Sequence, residues 1–142
     1  MPRHTYTNLK ETGYFTINHI HRNHIRQAHQ TSAKYKEEDS EFEYCGFTPE
    51  YSEIIKAPYV KEMDIKIGLK YREEYLIKAN DTRLIIGAIE QVIVPAGVIN
   101  SDHSIDLVAA QSVTISGLET YLIPEKLAKF SYARPDRKLD EL

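Results

Sequence analysis

Met63-Asp64-Ile65-Lys66-Ile67-Gly68-Leu69-Lys70-Tyr71 and Thr82-Arg83-Leu84-Ile85-Ile86-Gly87-Ala88-Ile89-Glu90-Gln91-Val92-Ile93-Val94 decide the fold. In the first stretch apolar residues at odd positions alternate with Asp64, Lys66, Gly68 and Lys70. A period of two is the signature of a half-buried strand with one wet face. Tyr75, Leu76 and Ile77 continue it, and Asn80-Asp81 reads as a turn. The second stretch is β-branched and apolar on both faces, which predicts a central strand. Gly68 and Gly87 stand where a bulge, a bend or a close backbone approach belongs.

Outward from this pair the elements shorten. Upstream, a basic and hydroxyl-rich turn (Arg3, His4, Thr5) leads into a short helix near residues 8–12, which Gly13 stops before a strand over 14–18. Asn23 is placed to cap a helix running to about Ala33. Ser40 and Glu43 have the spacing of a capping box, and Thr48-Pro49 that of a helix start. Downstream, Val98-Ile99 and the turn at residues 100–103 suggest a hairpin-like return. Residues 105–113 read as a short helix, 115–122 as a final strand, 125–130 as another short helix and the rest as a polar tail. With no internal repeat or linker, 142 residues make one domain. The expected architecture is antiparallel β, closed as a barrel or packed as two sheets, with several short helices.

Composition narrows the function. A net charge of −3 argues against a general nucleic-acid binder. No apolar run approaches a membrane span, and the N-terminus has no apolar signal core. One cysteine, Cys45, excludes an intramolecular disulfide and fits a reducing, cytoplasmic setting. No cysteine-enzyme signature surrounds it, so it reads as a small buried residue. Ten tyrosines offer flat faces with polar tips, which suit a planar ligand or an ordinary β-rich core.

The residues that carry chemistry lie early. Arg3 offers a planar fork for phosphate oxygens. The Thr5 hydroxyl, Asn8 and the N–H groups opening the first helix add donors. His19, His21, His24 and His29 fall close together, but no metal-ligand spacing supports a metal site. His29 shares a helical face with Ile25 and Ala28 and is the best single histidine for a site, with a core histidine as the competing reading.

These residues are arranged in a known order. Arg3-His4-Thr5 with Asn8, the run from Glu11 to Asn18, and the run from Gln27 to Tyr35 resemble the flavin reductase-like family with the FMN-binding split-barrel fold. So do Ser40-Glu41-Phe42-Glu43, Gly46-Phe47-Thr48, Ala57-Pro58-Tyr59-Val60, Ile86-Gly87, Gly117-Leu118-Glu119-Thr120-Tyr121 and Tyr132-Ala133-Arg134-Pro135. Each motif is weak alone, and their shared order across nearly the whole chain carries the resemblance.

The resemblance implies a mainly β, antiparallel split β-barrel with several short helices. Family members carry a preceding segment that supplies the first barrel strands. Residues 1–142 are therefore expected to be the C-terminal part of a flavin reductase-like domain, first strands missing. The implied function is an FMN-binding, NAD(P)H-dependent flavin oxidoreductase, a homodimer with FMN (or FAD) near the subunit interface. NAD(P)H would give hydride to the flavin, and the cofactor would carry the chemistry. The implied site residues are Arg3, His4, Thr5 and Asn8 at the phosphate, Tyr35 and Ser40 beside the flavin or nicotinamide entry, and His29 in catalysis. A non-catalytic flavin- or ligand-binding module and an inactive remnant are the alternatives.

Overall fold

A computed structural model describes residues 4–142. The two long strands form as the alternation predicts, β4 over Lys66–Ile77 and β5 over Thr82–Ile93. They pair antiparallel around a turn at residues 78–81, where Asp81 takes a φ of 53°. The register shifts at Gly68/Leu69 and again at Tyr71/Glu73. The bulge expected at Gly68 is present.

On the other edge of β4 lies β1, Tyr14–Asn18, paired from Tyr14 opposite Lys70 to Asn18 opposite Lys66. The sheet order is β1-β4-β5. The central strand is therefore β4, and β5 lies at the edge, with Leu84, Ile89 and Val92 exposed. This corrects the central placement of residues 82–94. Apolar residues on both faces report what covers the faces, not which edge carries a neighbour.

A second correction concerns the wet face of β4. Lys66 and Gly68, expected at the surface, are buried. A small ribbon covers them, built from β2, Pro49–Glu50, and β3, Tyr59–Val60. Glu50 pairs with the buried Lys66 ammonium, which also donates to the Lys61 carbonyl at 3.2 Å. The Tyr59 hydroxyl crosses above Gly68 to donate to Gln91 Oε1 at 2.9 Å. Pro49 thus opens a strand rather than a helix, a position where its missing N–H costs no ladder bond.

The first helix is longer than expected: α1 spans His4–Thr12. It ends where Gly13, at φ +72°, donates its N–H to the Leu9 carbonyl at 2.9 Å. α1 packs along the hairpin through one cluster. Tyr6 donates to Glu74 Oε1 at 2.8 Å, and Lys10 and Arg83 approach the same carboxylate at 3.5 and 3.3 Å. Those contacts hold the Glu74 carboxyl below its usual range, the Tyr6 hydroxyl bond first and the two cations after it.

The helix expected from Asn23 divides into a 3₁₀ turn, Arg22–His24, and α2, Ile25–Gln30. The cap is His21, whose extended backbone lets Nδ1 accept the Asn23 N–H at 3.2 Å. α3 runs Glu41–Cys45, with Ser40 before it, but the Ser40 side chain makes no cap bond and the capping box does not form. Residues 105–113 are turns. The Asp106 carboxylate takes the N–H groups of Val108 and Ala109 at 2.9 Å each, and Gln111, at φ 51°, turns the chain out of any helix. The expected last strand is a hairpin, β6 (Thr114–Ser116) and β7 (Thr120–Leu122), turning at Gly117. Residues 125–130 are not helical; Phe130 bridges Glu141 instead. The hairpin-like return at residues 98–105 does form, with Ile99 bridging Ile105.

Three small apolar clusters hold these parts. Cys45, Phe47 and Met63 bind α2 and α3 to β3; Ile55, Ala57 and Tyr59 bind the ribbon to the sheet; Ile65, Val98 and Ala110 bind the segment after β5.

Candidate functional site

Two regions have the makings of a site, at opposite ends of β4. At one end is α1. His4, Thr5 and Asn8 lie within about one turn of each other on it. A donor set of hydroxyl, amide and imidazole fits a phosphate. Arg3 lies outside the described residues. The Glu74 carboxylate beside α1 is engaged by Tyr6, Lys10 and Arg83.

At the other end is a cleft of about 400 Å³ between β1, α2, α3 and β3. Its floor is Phe42, Phe47, Val60 and Met63, with Ile20 and Ala28 beside them; its polar groups are Thr16, Asn18, Thr31 and Glu41. The apolar majority with few polar groups is the usual build of a small-molecule site. Thr16 and Asn18 project from the same face of β1. The Asn18 side chain is fixed at both ends: Oδ1 accepts the Val60 N–H at 3.0 Å, and Nδ2 donates to Thr16 Oγ1 at 3.1 Å. Thr16 in turn donates to the Pro58 carbonyl at 2.7 Å. Thr31 donates to the Ala28 carbonyl at 2.7 Å, which leaves its oxygen lone pairs free toward the cleft.

The remaining expected residues fall beside this cleft. Tyr35 packs against the Cys45–Phe47–Met63 cluster, and its hydroxyl stands 3.5 Å from Cys45 Sγ and donates to the Gln30 carbonyl at 3.3 Å. The contact with Cys45 is the leading cause that raises the Tyr35 phenol above its ordinary range. Ser40 precedes α3. His29 faces a shallow hollow with Ile25, Arg26, Glu119 and Tyr121; its Nδ1 and the Tyr121 hydroxyl are 3.1 Å apart. Cys45 is buried and free, as its setting in the sequence suggested. His19 meets Ser112 and His21 approaches Asp64 at 3.9 Å. Among the described residues no group of three potential metal ligands gathers.

The two regions lie at different levels of β4. Tyr6 of α1 meets Glu74, whereas Asn18 of the cleft stands opposite Lys66. The strand between those levels is about 27 Å long at the ordinary rise of a strand. Tyr6 of α1 and Asn18 of the cleft therefore stand at opposite ends of β4. Sequence reasoning missed Asn18, Thr31 and Glu41. The one signal for them was the polar Thr16-x-Asn18 spacing on an otherwise apolar strand.

The Flavin reductase like domain family matches residues 1–111. The chain belongs to that family. A structure assigned as a flavin reductase with split barrel domain, from Shewanella frigidimarina NCIMB 400, is 45% identical. It superposes with a TM-score of 0.89 over 93% of this chain and 67% of its own. The flavoredoxin of Desulfovibrio vulgaris (Miyazaki F) is 26% identical, with a TM-score of 0.74 over 96% of this chain and 71% of its own. An uncharacterised protein of Aquifex aeolicus (strain VF5) is 30% identical over 93 residues, matching 56% of this chain. The chain spans about half the length of that curated relative, 47%. The open antiparallel arrangement is thus a split-barrel fold, as the ordered motifs implied. No helix among the described residues is long and apolar enough to cross a membrane.

Proposed function

We propose that this protein is an FMN-binding, NAD(P)H-dependent flavin oxidoreductase that works as a cytoplasmic homodimer. The observation that carries the reading is the family match over residues 1–111, supported by the 45% identity to the Shewanella structure. In this reading Arg3, His4, Thr5 and Asn8 hold the phosphate of FMN, or of FAD in its place. The flavin, once bound, supplies hydride acceptance from NAD(P)H. The chain's task is to bind, orient and shield it. In this reading a second copy completes the site. The exposed β5 edge, with Leu84, Ile89 and Val92, is the surface on which that copy pairs. His29 then faces the reacting partner from across the dimer.

Titration of the purified chain with FMN tests the reading. A shift in the flavin absorption bands with quenched fluorescence is expected, followed by bleaching when NADH or NADPH is added without oxygen. Bound flavin that both nicotinamides leave oxidised identifies a non-catalytic flavin module. No spectral change at all rejects the flavin reading.

A further inference from the structure

Residues 129–142 fold back on themselves. Phe130 bridges Glu141 and Arg134 bridges Arg137, a register that sets Tyr132 opposite Leu139. Ser131 donates its N–H to the Asp140 carbonyl and Leu142 donates its own to Lys129, both at 2.8 Å. The Lys129 ammonium meets Asp102 and ties this hairpin to the body. A lone two-stranded hairpin is marginal in water unless one face is covered. Here one face carries Phe130, Tyr132 and Leu139, exposed at 54, 84 and 48%. At the turn that face ends in Arg134 opposite Arg137. Like charges directly opposite each other are unfavourable. Among the described residues neither guanidinium has an acidic partner; Arg134 lies 5.9 Å from the Tyr132 ring. We infer that this face docks on the acidic segment 37–43 of a second copy, with its arginines on the Glu37, Glu38 and Glu43 carboxylates and its aromatic rings against Tyr44.

Charge and area choose that receiver. Five carboxylates fall within residues 37–43, and those of Glu37, Glu38 and Glu43 are exposed. Among the described residues their one ion pair is Glu38 with Lys36, at 4.0 Å between side chains 73 and 79% exposed, which does little to hold either charge. Glu74 and Glu90, by contrast, are already met by Lys10, Arg83 and Arg72. Tyr44 follows the acidic segment at 64% exposure and offers the rings a flat apolar surface. A two-fold axis makes each copy both donor and receiver, so the contact occurs twice. At on the order of 200 Å² per aromatic side chain, Phe130, Tyr132 and Tyr44 leave roughly 400 Å² uncovered on each copy. That is half of the about 800 Å² each partner of a stable interface buries, and Leu139, the arginines and the carboxylates supply the rest. The inference rests on the homodimer of the proposed function and adds a second contact to the β5 pairing.

Sedimentation equilibrium of the full chain gives the dimer dissociation constant. Arg134→Glu with Arg137→Glu, and separately Glu37→Lys with Glu38→Lys, place like charges across both copies of the contact. Each double variant is expected to weaken the dimer about tenfold or more, since four exposed pairs are each worth a factor of about 1.5 to 5. An equal mixture of the two restores opposite charges at both contacts and is expected to return to within about threefold of wild type. Double variants that dimerise like wild type, or a mixture that stays weak, overturn the proposal. Salt on the wild-type chain decides even if a variant folds poorly: raising ionic strength from about 0.05 to 0.5 M should weaken the dimer at least about threefold, and a salt-independent dimer overturns the proposal. A wild-type chain that stays monomeric overturns both the homodimer and this contact. A dimer split by Ile89→Lys and untouched by both charge reversals overturns this contact alone. Flavin spectra are read separately, so a chain that binds no FMN yet recovers its dimer on mixing rejects the oxidoreductase reading and leaves the contact standing.

Discussion

Gly68→Ala tests whether the sheet and its covering ribbon are packed as described. Gly68 stands on β4 opposite Thr16 of β1 and Gln91 of β5. A Cβ placed on it meets the Tyr59 hydroxyl at 2.0 Å and Ile55 Cγ1 at 2.5 Å. Both side chains are 0% exposed, so neither has solvent to move into. Replacing a strand glycine gains about 0.5–1 kcal/mol from the unfolded chain. Overpacking costs about 1–3 kcal/mol. Pushing the Tyr59 hydroxyl off Gln91 leaves a buried donor unsatisfied, for about 1–3 kcal/mol more. The net loss is about 2–4 kcal/mol, a large share of the 5–15 typical of a domain, and it lowers Tm by about 6–12 °C. Urea and thermal unfolding followed by circular dichroism measure it. Tyr59→Phe removes the nearer collision, so the double variant should be at least about 1 kcal/mol more stable than the two single losses added. The Ile55 contact keeps it below Tyr59→Phe alone. Gly97→Ala, with nothing within 4 Å of its Cβ, is the control and should be neutral or slightly stabilising. A Gly68→Ala variant within about 0.5 kcal/mol of wild type, or strict additivity with Tyr59→Phe, refutes the packing argument.

Three further outcomes are expected. Glu74→Gln should raise amide hydrogen exchange across α1 at least about fivefold without changing β4, because Tyr6, Lys10 and Arg83 all meet that carboxylate; unchanged α1 protection shows that other contacts hold the helix. Ile89→Lys, at an edge residue 63% exposed, should turn a dimer into a monomer in gel filtration and light scattering; a wild-type chain that already runs as a monomer removes the proposed β5 pairing. Stability should fall on both sides of neutrality. Tyr6 bonding holds the Glu74 carboxyl low, and the Lys129 ammonium followed by Ser104 does the same for Asp102. Those contributions are present above about pH 4 and lost as pH falls below it. Burial raises the Tyr59 phenol, and the Glu73 bond raises that of Tyr75. Their contributions are present below about pH 10 and lost above it. Thermal melts from pH 2 to 11 give the profile, and a melt temperature still rising above pH 10 contradicts the sign.

Local pattern made much of the fold legible. The two runs at 63–71 and 82–94 predict β4 and β5, their turn and the irregularity at Gly68, because side-chain alternation and glycine placement are properties of the strand itself. At Gly87, where a bend or a close backbone approach was expected, the close neighbour is a side chain: Phe15 Cζ would lie 2.6 Å from a Cβ there. What failed was set by distant partners. Lys66 carries the pattern of a wet face, yet β2 and β3 cover it and Glu50 neutralises it. Asn23 has the chemistry of a cap, yet His21, extended by its bridge to Ser112, reaches the free N–H first. Residues 105–113 read as a short helix, yet Leu107 and Val108 are exposed and the Asp106 carboxylate organises a turn. The cleft was not legible from local pattern: His4, Thr5 and Asn8 are neighbours by sequence alone, on one helix, while Thr16, Asn18, Thr31, Glu41 and Met63 meet only because three elements fold onto one strand.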